Sequence, residues 1–397
     1  MPLPNQFDLT LGCLIMAGLQ LFFIFRFWLR IRRRGEIPPP PDYRPHAAVI
    51  IPCAGLAPGF AENIGSILNQ DYRGETDYLF VTPRESDPAY DELLGLLARS
   101  PRRTTLLASG AIPRRTTGKN IDVLHALERL PAGVEVLVFA DADVRVRRGW
   151  LGALVGALAD PRVGVATALM LYVPTSLRLP PLLRMTFMGF CMPFFELVSG
   201  VTGQTLAMRK EDFDALDVAG LWSRCFLEDL ALARHVRGWS KSVRFVADAI
   251  PIAPDDSSWR ETVQVFNKWI LSCRVYGAAS WILGWIVTGF KAYVLVWGLV
   301  HRAVPLLLLL FAMDAAALLV IFALLEDRLP DRFTDLHPGL RPLPLAAAAV
   351  APLLQLLFLV NFVASLGRRR VDWGPYRYFI RGPEDVEAVT RKGRKAK

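Results

Sequence analysis

The run EVLVFADADV (residues 135–144) decides the fold. Its strand part, residues 134–140, is short and largely apolar, the pattern of a strand buried on both faces. It closes on Asp141 and Asp143, which point to the same side of an extended chain across Ala142. Two carboxylates in register repel each other unless a cation or a proton offsets them. The carboxyl end of a strand is where α/β sheets bind ligands. A divalent cation bridging the pair to a diphosphate satisfies the charge there. The competing reading is a strand-end turn in which one Asp caps the next helix.

Outward from this strand, residues 46–275 alternate between strand and helix. HAAVIIPC (46–53), DYLFVT (77–82), TTLLAS (104–109) and VGVATALML (163–171) read as further strands. Helical spacing occupies 59–70, 90–97, 121–130 and 150–158. This βαβα rhythm predicts an α/β, Rossmann-like domain with a mainly parallel sheet and helices on both faces.

Four other stretches offer chemistry. GKN (118–120) opens a helix, where Lys119 beside free backbone amides suits a diphosphate and is otherwise a surface lysine. TPRESDPAY (82–90) follows a strand, so Glu85 and Asp87 suit a ribose or base, or else form a polar loop starting the next helix. TGQTLAMRKEDF (202–213) holds Gly203, which permits close backbone approach. FLEDLALARHVRGW (226–239) opens a helix with Glu228 and Asp229, a place that also favours acids through the macrodipole. His235 in that helix reads as structural.

The 397 residues are 53% hydrophobic with a mean hydropathy of +0.31, which places part of the chain in lipid. Residues 9–29 are apolar but for Arg26 near the end, and Arg30, Arg32, Arg33, Arg34 and the prolines 38–41 follow. A signal peptide carries its charges before the apolar core. The reversed order here predicts a retained anchor with its Arg-rich end in the cytoplasm. Residues 303–325 and 344–366 are long enough to span, about 20 residues being needed, and EDRLPDRFTDLHPGLR between them has no basic excess. Arg368, Arg369, Arg370 and the ending RKGRKAK place the tail in the cytoplasm, so an even number of crossings must precede it. Residues 278–301, with Trp281, Trp285, Trp297 and a central Lys291, are therefore expected to be interfacial or re-entrant.

Residues 174–200 are rich in Met and Phe. They are expected to form an amphipathic platform on the bilayer, with Arg178 and Arg184 toward headgroups and Met185, Met188, Phe190, Phe194 and Phe195 guiding a lipid tail. A core helix is the alternative. The net charge of +9 sits largely beside the membrane segments, where basic residues attract anionic headgroups, and calls for no nucleic acid. Five scattered cysteines without a CxxC suit a reducing compartment.

Taken in order, VIIPCAGL, FAENIGSILNQDY, SDPAYDEL, GKN, FADADVRV, TGQTLAMRK, LEDLALARHVRGW and FNKWILSCRVYG resemble a family-2 glycosyltransferase of the membrane-anchored branch related to ceramide glucosyltransferases. WGPYRYFI in the tail resembles the WRGRxY-type ending of that branch. The resemblance implies an A-type nucleotide-diphospho-sugar transferase fold with N- and C-terminal transmembrane helices. It implies Mg²⁺ or Mn²⁺ on Asp143 with Asp141 beside it, and Asp229 as the general base. Pro52, Cys53, Ala54 and Lys119 would line the nucleotide, and Lys268 and Trp269 would end an RxxRW-like element closing over the diphosphate. Departures are Pro83 or Arg84 at the family's acidic nucleotide position, with Glu85 and Asp87 as substitutes, and Lys268 where the element has Arg. Lys lacks the planar fork that grips phosphate bidentately.

The implied layout is an anchor at 1–34, a cytoplasmic glycosyltransferase domain at 45–275, an interfacial or re-entrant segment at 276–302, two transmembrane helices at 303–366 and a basic cytoplasmic tail at 367–397. The implied activity is inverting transfer of a hexose from a UDP-sugar to the hydroxyl of a membrane lipid (ceramide-like, hopanoid-like or glycerolipid), at a bacterial inner membrane. A processive polysaccharide synthase and a catalytically silent membrane protein of the same fold are the alternatives.

Overall fold

A computed structural model describes residues 5–32, 42–326, 328–329 and 342–390. Arg33, Arg34, the prolines 38–41, most of the 327–341 loop and the ending RKGRKAK lie outside the described residues. The strands are β1 (Ala47–Pro52), β2 (Thr76–Thr82), β3 (Arg103–Ala108), β4 (Val136–Ala140), β5 (Val163–Thr167), β6 (Leu171–Pro174), β7 (Thr205–Arg209), β8 (Ser242–Phe245), β9 (Ile252–Asp255), β10 (Arg370–Trp373), β11 (Tyr376–Gly382) and β12 (Asp385–Thr390). The chain divides into two compact units.

The first unit comprises Gly35–Met170, Ser199–Pro254 and Arg369–Lys397. Its main sheet has the order β3-β2-β1-β4-β7-β5-β8. β1 is parallel to both β2 and β4, and every residue of β4 is buried, as an apolar run flanked on both edges requires. From β1 the chain steps outward through β2 and β3, then returns to the other side of β1 as β4. That reversal opens a crevice at the carboxyl ends of β1 and β4. β7 runs antiparallel to β4, with Thr205 opposite Ala140. It enters from the TGQT turn at the crevice end, which brings Gly203 to the tip of β4. The expected strand 163–171 is broken: β5 ends at Thr167, and the Thr202 hydroxyl donates to the Ala168 carbonyl at 2.9 Å.

Aromatic residues fix the layers. Trp150, at the start of the helix Trp150–Ala157, is fully buried and donates its indole N–H to the Thr205 hydroxyl at 2.6 Å. Trp222 packs edge-on to Phe139 of β4 at 4.9 Å and to Phe213 at 5.3 Å. The tail, expected only as a basic segment, folds as the antiparallel sheet β10-β11-β12 within this same unit.

The second unit comprises Met1–Arg34, Leu171–Val198 and Asp255–Arg368, so residues 171–198 and 255–275 cluster with the apolar helices. Gln6–Arg32, Ala278–Val300, Val304–Glu326 and Leu343–Gly367 are long and apolar enough to cross a membrane. Large apolar side chains of the first, among them Phe7, Leu14, Leu21 and Phe25, are exposed, as a lipid-facing helix requires. The segment expected as a bilayer platform is the helix Leu179–Leu197. Met185 and Met188 are buried in it, and Phe187 stacks on Trp269 at 5.1 Å, which is core packing. Arg184 is also buried: it pairs with Asp255 at 2.8 Å and lies 3.7 Å over the Tyr172 ring. It therefore does not face headgroups, because a desolvated guanidinium needs a partner more than the surface does. Arg178 is exposed and pairs with Asp256.

Lys291 is paired rather than isolated. Its ammonium lies 2.6 and 2.9 Å from the two Asp314 oxygens, both residues being 3% exposed. The Gln20 amide donates to Asp314 at 2.8 Å. Breaking one side of a buried pair costs more than removing both. Asp314→Asn is expected to destabilise the chain by about 3–5 kcal/mol, whereas Lys291→Met combined with Asp314→Leu stays near wild type. Denaturant unfolding in detergent micelles measures both, and equal losses would refute the pairing.

Candidate active site

At the crevice, the backbone between β1 and β2 is held by one side chain. Asp87 caps the helix Pro88–Leu97 by accepting from the Ala89 N–H at 3.0 Å, and the same oxygen accepts from the Gly55 N–H at 2.8 Å. Gly55 has φ +69, a left-handed value open to glycine. Asp87 thus acts as a strut joining two crevice loops, and Glu85 is exposed on the turn before it. The Cys53 N–H donates to the Val81 carbonyl at 2.7 Å. Its thiol is fully buried, and burial together with Asp122, Asp141 and Asp87 holds it well above the usual thiol range. Those three acids therefore surround the end of β1. Pro52 is half-buried and Ala54 exposed.

At the tip of β4, Lys119 joins two acids. Its ammonium lies 2.6 Å from Asp141 and 2.6 Å from Glu228. Burial works against the charged amine, but Asp141 and Glu228 hold it above the ordinary lysine value. Burial pushes the Asp141 carboxyl up; Asp143 and Glu228 act in the same direction, and Lys119 offsets them only in part. Burial likewise pushes Asp229 up to about 6, reinforced by Glu228 and opposed by Lys119 and by the N–H groups of Leu230 and Gly203. Those groups donate to its carboxylate at 2.7 and 3.2 Å. Asp141 and Glu228 thus share one ammonium, which also acts on Asp229, while Asp143 acts on Asp141. One Glu228 oxygen is buried with no hydrogen-bond partner.

Gly203 makes this density possible. A Cβ there would sit 2.2 Å from a Glu228 oxygen and 3.0 Å from the Lys119 nitrogen. The Lys119 helix, Gly118–Leu127, starts at a Thr117 cap and is tied to the loop before Glu228. The Thr116 hydroxyl lies 2.7 Å from the Trp222 carbonyl and 2.9 Å from that of Cys225, and the Asn120 amide donates to Thr116 at 2.8 Å. Within that helix, Asp122 is buried and accepts from the Ser109 hydroxyl at 2.5 Å; burial pushes its carboxyl up to about 7.

Asp141, Asp143, Lys119 and Asp229, singled out from the sequence, thus interact as one cluster. Lys268 and Trp269 lie in the helix Trp259–Tyr276 of the other unit. His235 bonds the Leu216 carbonyl through its ring at 3.0 Å. Sequence reasoning missed the Thr116–Asn120 tether, the Asp122–Ser109 pair and the direct part of Glu228. Only the adjacency of Glu228 to Asp229 hinted at the last.

Residues 13–385 match glycosyl transferase family 21. The chain belongs to glycosyl transferase family 21. It is accordingly a nucleotide-sugar glycosyltransferase, built on a mostly parallel mixed sheet. The motifs had suggested family 2; the family established is numbered 21. No curated protein sequence matched. Among solved structures, this family 21 protein is similar to the mannosyltransferase PcManGT from Pyrobaculum calidifontis in complex with GDP-Man and Mn²⁺, at 17% identity over 90% of this chain and 99% of that one, with a TM-score of 0.46. It is also similar to S. aureus TarS 1–349, at 11% identity over 87% and 100% with a TM-score of 0.36. A third is glucosyl-3-phosphoglycerate synthase from Mycobacterium tuberculosis in complex with Mn²⁺ and UDP-glucose, at 16% identity over 58% and 79% with a TM-score of 0.35.

Removing the shared cation tests the electrostatics apart from any reaction. Lys119→Met leaves Asp141 and Glu228 buried without a counter-charge and is expected to cost about 3–5 kcal/mol. Adding Glu228→Gln to it should restore part of that stability. Unfolding at pH 8 measures both, and a neutral Lys119→Met would show that the ammonium is not what holds these acids.

Proposed function

We propose that this family 21 protein is an inverting transferase that moves a hexose from a UDP-sugar to the hydroxyl of a membrane lipid. The observation that carries the reading is the excess of acids around Lys119, at the crevice of an α/β sheet, with Asp229 held by the Gly203 N–H. The fold family implies a divalent cation, and the residues present fit one. Asp141 and Asp143 offer hard oxygens suited to Mg²⁺ or Mn²⁺, and the unpartnered Glu228 oxygen marks unsatisfied negative potential beside them. Held chiefly by Asp143, the cation would offset charge on the departing diphosphate.

The chain's own groups account for the remaining chemistry. A lipid hydroxyl is a weak acid, and Asp229 takes its proton as attack proceeds. A single base requires only one displacement, hence inversion. Lys119 keeps Asp141 and Glu228 in place and adds positive potential where the diphosphate leaves. Pro52, Cys53, Ala54, Glu85 and Asp87 belong to the nucleotide side, with Asp87 acting through the Gly55 loop.

A lipid acceptor is supported by the four apolar helices and by family 21 being that of the ceramide glucosyltransferases. The basic excess at Arg368, Arg369 and Arg370 assigns the tail to the cytoplasm, so an even number of crossings precedes it after the catalytic domain. With Val304–Glu326 and Leu343–Gly367 as the crossing pair, Ala278–Val300 is interfacial or re-entrant. Parity carries this assignment, since Lys291 is neutralised by Asp314. The catalytic face is assigned to the cytoplasm of a bacterial inner membrane.

Membranes containing the chain, given radiolabelled UDP-glucose, UDP-galactose or UDP-N-acetylglucosamine with lipid extract and Mn²⁺, should yield an organic-phase product. Asp143→Asn and Asp229→Asn should each lower it at least about a hundredfold. Label left at the origin as polymer would indicate a synthase, and binding without transfer a silent protein. Because Asp229 works deprotonated and is pushed up to about 6, turnover should fall about tenfold per unit as pH drops below that value. Glu228→Gln removes a like charge that raises Asp229, so it should move this acid limb to lower pH; an unmoved limb would exclude Asp229 as the base.

A further inference from the structure

WGPYRYFI (373–380) is a sequence motif that the proposed reaction leaves without a role. It spans the end of β10, a two-residue turn and most of β11. The pairing of Trp373 with Tyr376 closes the turn on Gly374 and Pro375, and Gly374 has φ +55, as the first position of such a hairpin turn demands. Alternation then places Tyr376, Tyr378 and Ile380 on one face of β11. Tyr378 and Ile380 are each 2% exposed.

We infer that the C-terminal sheet is a working part of the active site, with Tyr378 as a positioning residue holding the Lys119 helix start against the turn that carries Glu228 and Asp229. This rests on the proposed transfer reaction.

Tyr378 reaches both segments at once. Burial pushes the Tyr378 phenol up, and the Gly118 backbone acts against that push, which puts the phenol beside the residue directly preceding Lys119. A helix start has backbone N–H groups with no partner inside the helix, and a buried phenol oxygen beside Gly118 offers one of them an acceptor. The Tyr378 ring lies 5.3 Å from that of Phe226, which is fully buried and also 6.1 Å from Trp373. Phe226 stands two residues before Glu228. Two outer contacts engage the same segments: the Ala388 N–H donates to the Arg114 carbonyl at 2.7 Å, and Arg224 pairs with Glu384 at 2.5 Å. The exposed ion pair contributes little energy, but it registers the sheet on the turn. The strands therefore brace both sides of a bridge whose two contacts are each 2.6 Å long. A displacement of about 1 Å would break both contacts and can cost about a hundredfold in rate.

The test uses the full chain in lipid nanodiscs, comparing wild type, Tyr378→Phe and Tyr378→Ala. Two readouts are taken: amide hydrogen exchange by peptide, and transfer kinetics with varied UDP-sugar. Tyr378→Phe keeps the ring and loses the hydroxyl. Exchange at 118–120 should rise relative to the main sheet, and kcat should fall about tenfold, with KM for the donor changed less than about threefold. Tyr378→Ala should extend faster exchange to 222–230. Unchanged exchange in Tyr378→Phe, or faster exchange with kcat unaltered, would overturn the inference. If Tyr378→Ala exchanges uniformly fast because it unfolds, Tyr378→Phe decides. A wild-type chain that transfers no sugar to any lipid overturns the reaction, and with it the catalytic half of the inference, while the exchange pattern still decides the brace.

Discussion

Lys119 has two carboxylates at 2.6 Å and two further acids close enough to act on the same groups. An ammonium can neutralise one of them. Burying such an excess is unfavourable in proportion to how well the acids are desolvated, so the surrounding chain must hold them together. Each local feature of the crevice serves this. Gly203 has no Cβ because Glu228 and Lys119 fill that space. Thr116 and Asn120 bond the carbonyls of Trp222 and Cys225, fixing the helix that carries Lys119 to the turn that carries the acids. β7 runs against β4 so that the Gly203 turn can arrive at the strand tip.

The parts legible in the sequence were those with a period or a costly residue type. β1, β2, β4 and β5 were readable because strands buried on both faces must be apolar throughout, and Asp141 and Asp143 stood out because acids are expensive at the end of such a strand. The Thr116–Asn120 tether was not readable. Its partners are backbone carbonyls about a hundred residues away, and any residue supplies a carbonyl. Asp87 was readable as an acid near a nucleotide crevice, yet the structure uses it to join Gly55 to Ala89, a role that depends on how two loops meet. Arg184 was misread for a related reason: a basic residue in an apolar helix suggests headgroups until Asp255 is seen beside it. The tail was read by its charge, because arginines at 368–370, 377 and 381 mask the alternation that makes β10 and β11 strands.

The two buried lysines illustrate how one kind of interaction serves different ends. Lys291 faces both oxygens of a single acid, and Gln20 supplies a further donor to that acid. The charges there are equal in number and fully engaged. Such a pair asks nothing of a ligand and fits a tie between apolar helices. Lys119 faces acids that outnumber it, and a Glu228 oxygen remains buried with no partner. Two acids against one ammonium, with a carboxylate oxygen left over, is an arrangement that entering positive charge would stabilise. The difference is one of stoichiometry, and it separates the lysine that holds the helices together from the one around which chemistry is proposed.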